Sequence, residues 1–248
     1  MPISKTDFIR ALQCRKMLWL DAHKIEERVI PPEVQQRLDE GNVFGDSVMG
    51  IFGDFTETTA YREDGRLHFA KMIENTKVLL EKQANVICEG AFSWYGNFCA
   101  ADILKKDGEG YAIYEVKNST EIKKEFLYDL GFQRLILRKN GVPLTRPHLI
   151  LPYFPEIEKE DKQVRVETEN KKKPKGQIRV EIIPFNGKSY KIIDVTDAVR
   201  QTEKVAEKQI FEIGKLKRKD AEMPCISTGE QCEKPYRCWY YDYCHKQD

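Results

Sequence analysis

Apolar positions along the chain fall into two periods, one helical and one strand-like. Over 4–21, Phe8, Leu12 and Trp19 lie near one face, with Arg10, Arg15 and Lys16 among the polar positions. That spacing predicts a helix. Ser4 and Asp7 give it a capping-box-like Ser-x-x-Asp start, and Cys14 falls in its middle. Pro31 and Pro32 break the chain before a second helix over 33–51, which Gly41, Gly45 and Gly50 interrupt. A turn at Gly53 precedes a short strand over 56–60. Phe69, Met72, Ile73, Val78 and Leu79 make 68–83 a third, amphipathic helix. Strands are predicted over 86–95, 98–104 and 111–118. A helix over 122–137 follows, then a strand over 147–153 whose near-continuous apolar run, HLILPY, suits a buried central position. The segments 178–185 and 191–194 return to strand, and 196–219 is a long final helix ending in the basic KLKRK. Helices and strands in this order predict an α/β fold with a mixed central sheet flanked by helices.

The 248 residues allow one large domain, or one domain with an added lobe. A hydrophobic fraction of 41% is enough for a core. Net charge is only +1, so a nucleic-acid partner must be gripped by local patches or a metal site, not by a global basic field. The N-terminal MPISKTDFIRALQC lacks the apolar run of a signal peptide, and no apolar stretch is long enough to cross a bilayer. A cytoplasmic location is therefore expected. Seven cysteines without an export signal point to a reducing compartment and to metal or cluster ligation more than to disulfides. The charged stretch over 156–176, with KKKPKG at 171–176, reads as an exposed hairpin tip or loop, a phosphate-gripping patch being the alternative.

Candidate chemistry concentrates in DILKKDGEGYAIYEVK, residues 102–117. An apolar strand carries Asp102, and a Gly-containing turn over 106–110 reverses the chain. The next strand brings up Glu115 and Lys117, which are two apart and so share a face. Two carboxylates and a lysine on one sheet face suit metal-assisted phosphodiester hydrolysis. The carboxylates hold a hard divalent cation through oxygen, and the lysine positions water or stabilises developing charge. The same spacing also arises on ordinary half-solvated strands. Glu89, inside the strand over 86–95, is either a solvated carboxylate or a further metal ligand. On the helix over 122–137, Asp129, Gln133 and Leu137 share a face. A Gln on the apolar side of a helix needs a hydrogen-bond partner, so Gln133 is either a core-edge amide or a polar group aimed at the metal site.

The second concentration of chemistry is CISTGEQCEKPYRCWYYDYCHKQD, with Cys225, Cys232, Cys238 and Cys244. Structural zinc sites favour Cys pairs two to four residues apart, and the spacing here is wider. Iron–sulfur clusters are normally held by four thiolates. Three ligands from this end need a fourth, which is Cys225, or Cys14 if the termini meet.

With these motifs the chain resembles the RecB-like nucleases of the PD-(D/E)XK superfamily. Within them it is most similar to CRISPR-associated protein four and its relatives, the Cas-four-like iron–sulfur exonucleases. The likeness spans nearly the whole chain. It implies one domain over 1–248, with a catalytic core at 85–155 and a helical, iron–sulfur lobe from 1–84 and 195–248. The helix reading CRKMLWL would place Cys14 with Cys232, Cys238 and Cys244 around a 4Fe-4S cluster joining the two termini, leaving Cys225 spare. The family's Asp, then Glu-x-Lys, would map onto Asp102, Glu115 and Lys117, and its helical Gln onto Gln133. Where the family has a His after a Gly in the second helix, this chain has Gly45 followed by Asp46. Leu137 stands where the family has a Tyr, and the C-terminal cysteines are more widely spaced. Asp46 would offer an oxygen ligand, which favours Mg2+ or Mn2+. The pattern KNSTEIKKEFLYDLGFQ is also similar to larger bacterial proteins in which such a module precedes a second domain, so the chain is a stand-alone form or a truncated one.

The resemblance implies a metal-dependent DNA nuclease, an exonuclease on single strands. Asp102 and Glu115 would bind the metal with Glu89 or Asp46 assisting, Lys117 would orient water, and Gln133 would fix the substrate or the lysine. The partners implied are single-stranded DNA or DNA ends, with CRISPR adaptation or DNA-repair proteins, and no membrane. The rivals are a catalytically weak module that binds DNA ends or a partner protein, and a zinc-stabilised binding protein.

Overall fold

The computed structural model of the protein describes residues 1–156 and 179–246. The KKKPKG stretch and Ile178 lie outside the described residues. Seven strands form one mixed sheet in the order β1-β2-β3-β4-β5-β7-β6: β1 (Thr56–Glu57), β2 (Val86–Trp94), β3 (Asn97–Asp107), β4 (Gly110–Val116), β5 (Leu144–Tyr153), β6 (Val180–Phe185) and β7 (Lys188–Asp194). The pairs β1–β2 and β4–β5 are parallel, and the other neighbours are antiparallel. The expected mixed sheet flanked by helices is present.

β4 is central and buried along its whole length. Its alternate residues feed two cores. Tyr111 and Ile113 join the larger one, with Phe126, Leu130, Phe132 and Leu137 of α5 (Lys124–Lys139) and Val199, Ala206 and Ile210 of α6 (Thr196–Lys215). Ala112, Tyr114 and Val116 face the other way, onto Val48 at the end of α3 (Pro32–Val48) and Met49 and Ile51 in the 3-10 turn after it. The face that carries Glu115 is thus the one covered by α5.

α5 and α6 pack without a gap at Gly131. A Cβ there would meet Thr202 Oγ1 at 2.5 Å and the Glu203 amide nitrogen at 2.7 Å. Buried Glu203 accepts from Arg134 Nε at 3.0 Å and also pairs with Arg138, which ties the two helices electrostatically.

The helix expected over 4–21 is two helices, α1 (Lys5–Gln13) and α2 (Arg15–His23). The break is Cys14 itself, extended at φ −158° and ψ 117°. It ends α1 and begins α2, so it does not lie mid-helix. The capping box is present in both directions: Asp7 N–H donates to Ser4 Oγ at 3.1 Å, and Ser4 N–H to Asp7 Oδ2 at 2.9 Å. The strand expected over 56–60 is shorter, since only Thr56–Glu57 pairs with β2. Helix α4 (Phe69–Glu81) agrees with its expectation to within two residues, and His68 caps it through the Lys71 N–H. Between the long final helix and the last short one, α7 (Tyr241–His245), the chain is mostly irregular.

A third apolar cluster joins the termini. Met17 and Leu20 of α2 pack with Cys238, Tyr240 and Cys244, and with half-buried Cys14, Trp19 and Trp239. Polar contacts fix this lobe. Gln13 Nε2 donates to the carbonyls of Gln231 at 2.9 Å and Tyr236 at 2.7 Å. Tyr240 donates its hydroxyl to Asp21 at 2.9 Å, Arg10 reaches Asp21 at 2.8 Å, and the Arg10 guanidinium lies 3.8 Å from the Trp239 ring centre.

Candidate active site

The β3–β4 hairpin closes through a two-residue turn, Gly108–Glu109, with Gly108 at φ +59°. Glycine at the first central position suits the turn that matches strand twist. Ladder pairing runs from Asp107 and Gly110 to Ile103 and Tyr114. Beyond that, the Asp102 carboxylate takes over. Its Oδ2 accepts the Val116 N–H at 2.8 Å, so a side chain stands where a ladder bond would continue. This anchors Asp102 beside Glu115 at the open end of the hairpin.

Glu115 is fully buried. Lys117 Nζ donates to Glu115 Oε1 at 2.6 Å and to Asp129 Oδ2 at 2.9 Å. Gln133 Nε2 donates to Glu115 Oε2 at 2.5 Å and to Asp129 Oδ1 at 2.8 Å. Asp129 and Gln133 are one helical turn apart on α5, so both reach the same point on the sheet. The Gln133 amide oxygen is buried and, among the described residues, has no hydrogen-bond partner. Lys5, the first residue of α1, lies over the group. Its Nζ is 3.3 Å from Glu115 Oε1, 3.5 Å from Asp102 Oδ1 and 3.9 Å from Asp129 Oδ1.

Glu89 stands opposite Asp102 on β2, between the paired residues Cys88 and Gly90. Its backbone is left-handed, at φ +55°, which is rare and costly for a side chain without local polar help. Thr58 Oγ1 donates to its carbonyl at 2.5 Å and helps hold this conformation. Asp46 is exposed on α3, and among the described residues it shares no hydrogen bond or ion pair with the site.

Crowded acids and burial dominate the electrostatics. Burial raises the Glu115 pKa to about 8; Asp102 and Asp129 push the same way, and Lys117 and Lys5 oppose them. Burial also raises Glu89 to about 7, with Asp102 adding to it, Lys5 opposing, and Glu57 and Asp46 adding weakly. Asp129 goes the other way: burial would raise it, yet Lys117 and Lys5 hold it far below the usual carboxylate range. Burial would lower both lysines, but Asp129 and Glu115 keep Lys117 and Lys5 well above the ordinary value. The site therefore combines an aspartate held well below the ordinary carboxylate range, two lysines held above theirs, and two carboxyls that burial raises.

At the other lobe Cys14, Cys232, Cys238 and Cys244 line one cavity, together with Met17, Leu20 and Tyr240. Its empty space is about 340 Å³, open mouth included. Cys225 is exposed and is not part of that lining. Burial pushes the Cys238 thiol up to about 12, a Tyr240 N–H donated to its sulfur at 3.4 Å opposes this, and Cys14, Cys244 and Cys232 add to it. Among the described residues, no three His, Cys, Asp or Glu side chains are grouped closely enough to hold a metal ion as they stand.

Asp102, Glu115, Lys117 and Gln133 thus meet at one place; Glu89 adjoins it through its register opposite Asp102 and through charge, and exposed Asp46 reaches Glu89 through charge alone. Lys5 and Asp129 belong to the same place and were not among the expected site residues. The spacing of Asp129 and Gln133 by four was the available signal for Asp129. Nothing local in the sequence marks Lys5. Among the described residues no helix is long and apolar enough to cross a membrane. No family model, curated protein or solved structure matches the chain.

Proposed function

We propose that the protein is a metal-dependent DNA nuclease of PD-(D/E)XK type, acting as an exonuclease on single strands. The observation that carries the reading is the Lys117 ammonium, bridging Glu115 and Asp129 at the open end of the hairpin beside Asp102. Asp102 and Glu115, with Glu89 assisting, would supply hard oxygen donors for Mg2+ or Mn2+ once drawn together around the ion. The Lys5 ammonium already sits against Asp102 and Glu115, which marks a point these oxygens arrange around positive charge. A divalent ion bound there supplies a Lewis acid for the phosphoryl group and for the attacking water. Lys117 orients that water and stabilises charge at the phosphate. Asp129 keeps Lys117 protonated and aimed, and Gln133 locks the Glu115 carboxylate.

The four thiols around one cavity suit a 4Fe-4S cluster held by Cys14, Cys232, Cys238 and Cys244. The cluster's part here is structural: it fastens the start of the chain, and with it α1, to the C-terminal lobe.

A second reading is favoured by the absence of a ready three-ligand group among the described residues. In it the module binds DNA ends or a partner protein without cutting. End-labelled linear DNA, single- and double-stranded, and circular single-stranded DNA separate the two readings. Single strands shortened from an end with Mn2+, no cutting with EDTA and an intact circle support the exonuclease. Uncut linear DNA with a folded protein supports the binding module, and a cut circle indicates an endonuclease.

A further inference from the structure

Lys5 enters the site from outside the sheet, 97 residues before Asp102 in the chain. A lysine at the first position of a helix is disfavoured by the helix dipole, so its placement calls for another cause. The cause at hand is the acid cluster. Its ammonium touches Asp102 Oδ1 and Glu115 Oε1, the two carboxylates assigned above to the divalent ion.

The backbone beneath it is pinned. The Ile3 N–H donates to Asn97 Oδ1 at 2.9 Å, the Phe98 N–H donates to the Ile3 carbonyl at 3.0 Å, and Ser4 caps the helix. The side chain is not pinned in the same way. It is 26% exposed and has a flexible four-carbon stem. It can leave the carboxylates while the helix stays in place.

Lys5 is the ammonium that lies against both Asp102 and Glu115, and a divalent ion drawing these oxygens to about 2.0–2.1 Å would repel it and take its place between them, whereas Lys117 reaches Glu115 from the side of Asp129. Among the described residues the buried Gln133 amide oxygen accepts no hydrogen bond, so this place holds a further polar atom able to face a ligand. We propose that Lys5 is a tethered competitor of the divalent cation: its ammonium holds the Asp102–Glu115 position when no metal is bound, and metal loading displaces it. This rests on the metal-site reading above. It also accounts for acids that do not converge on an ion-sized point, since a lysine stands between them.

The test is Mn2+ binding to the full chain at fixed pH, read from the loss of the free Mn2+ electron paramagnetic resonance signal. The proteins are wild type, Lys5→Met, Lys5→Gln, Lys5→Arg and Asp102→Asn. Removing one adjacent positive charge should tighten Mn2+ binding at least about tenfold in Lys5→Met and Lys5→Gln. Lys5→Arg should stay near wild type, and Asp102→Asn should weaken binding. Thermal unfolding gives a second readout: Mn2+ should raise the midpoint of Lys5→Met and Lys5→Gln more than that of wild type. Wild-type binding that depends on Asp102 but is not tightened in either uncharged variant overturns the role of Lys5 alone. No binding at millimolar Mn2+ in any folded protein overturns the metal site, and the competitor with it.

Discussion

Glu115→Gln is the sharpest probe of the buried acid. Glu115 has no exposure to water, and its pKa lies at about 8 instead of 4.5. The sign follows from linkage. An unfolded chain releases this proton near pH 4.5, while the folded chain retains it until about pH 8. The protein without metal is therefore most stable, from this group, below pH 4.5, and loses that stability as pH rises to about 8. At about 1.4 kcal/mol per pH unit the full gap corresponds to roughly 4–5 kcal/mol. Water entry and relaxation temper buried-charge penalties, so the expected loss is about 2–4 kcal/mol. Gln keeps the shape and one carbonyl acceptor but does not titrate. Glu115→Gln should match wild type near pH 5 and exceed it at pH 8 by about that amount. Glu89, raised to about 7, adds a loss of the same sign in both proteins. His148, which burial holds below its ordinary value, tilts the window the other way, again in both. The difference between the two curves isolates Glu115. Urea unfolding at pH 5, 6, 7 and 8 with EDTA measures it. Parallel curves, or a wild type that gains on the variant as pH rises, would refute the reasoning.

Two further outcomes test the scaffold. Cys14→Ser and Cys238→Ser, purified without oxygen, should lose iron and visible absorption, while Cys225→Ser keeps both; equal iron in all three would remove the cavity's role, and a colourless wild type with one zinc would support a zinc-stabilised protein. Gly131→Ala should destabilise by about 1–3 kcal/mol in urea, because its methyl overlaps the backbone of α6 and this outweighs the helix propensity gained; an unchanged midpoint would mean that the two helices separate without cost.

The hairpin was legible because its determinants are local. A Gly turn set the register, and a spacing of two placed Glu115 and Lys117 on one face. Gln133 was legible for a related reason, since a polar residue on an apolar helical face must be aimed at something. Lys5 was not, because the packing of α1 against α5 and the bonds of Ile3 to β3, both far away in sequence, bring it to Asp102 and Glu115. The break at Cys14 was hidden by Phe8, Leu12 and Trp19, whose spacing reads as one continuous helix. The lobe's contacts supply the reason for the break: Gln13 turns to two carbonyls near the C-terminus while Cys14 faces the cavity. Glu89 was ambiguous because its strand position was readable and its left-handed backbone was not.

Lys117 is the residue on which the nuclease reading turns. The direct measurement is the rate of nucleotide release from 5′-labelled linear single-stranded DNA with Mn2+, comparing wild type with Lys117→Met after circular dichroism has shown both folded. If Lys117 orients the water and stabilises the phosphate charge, the variant should be slower by about 10²–10³-fold. Equal rates, or no release by the folded wild-type protein, would contradict it.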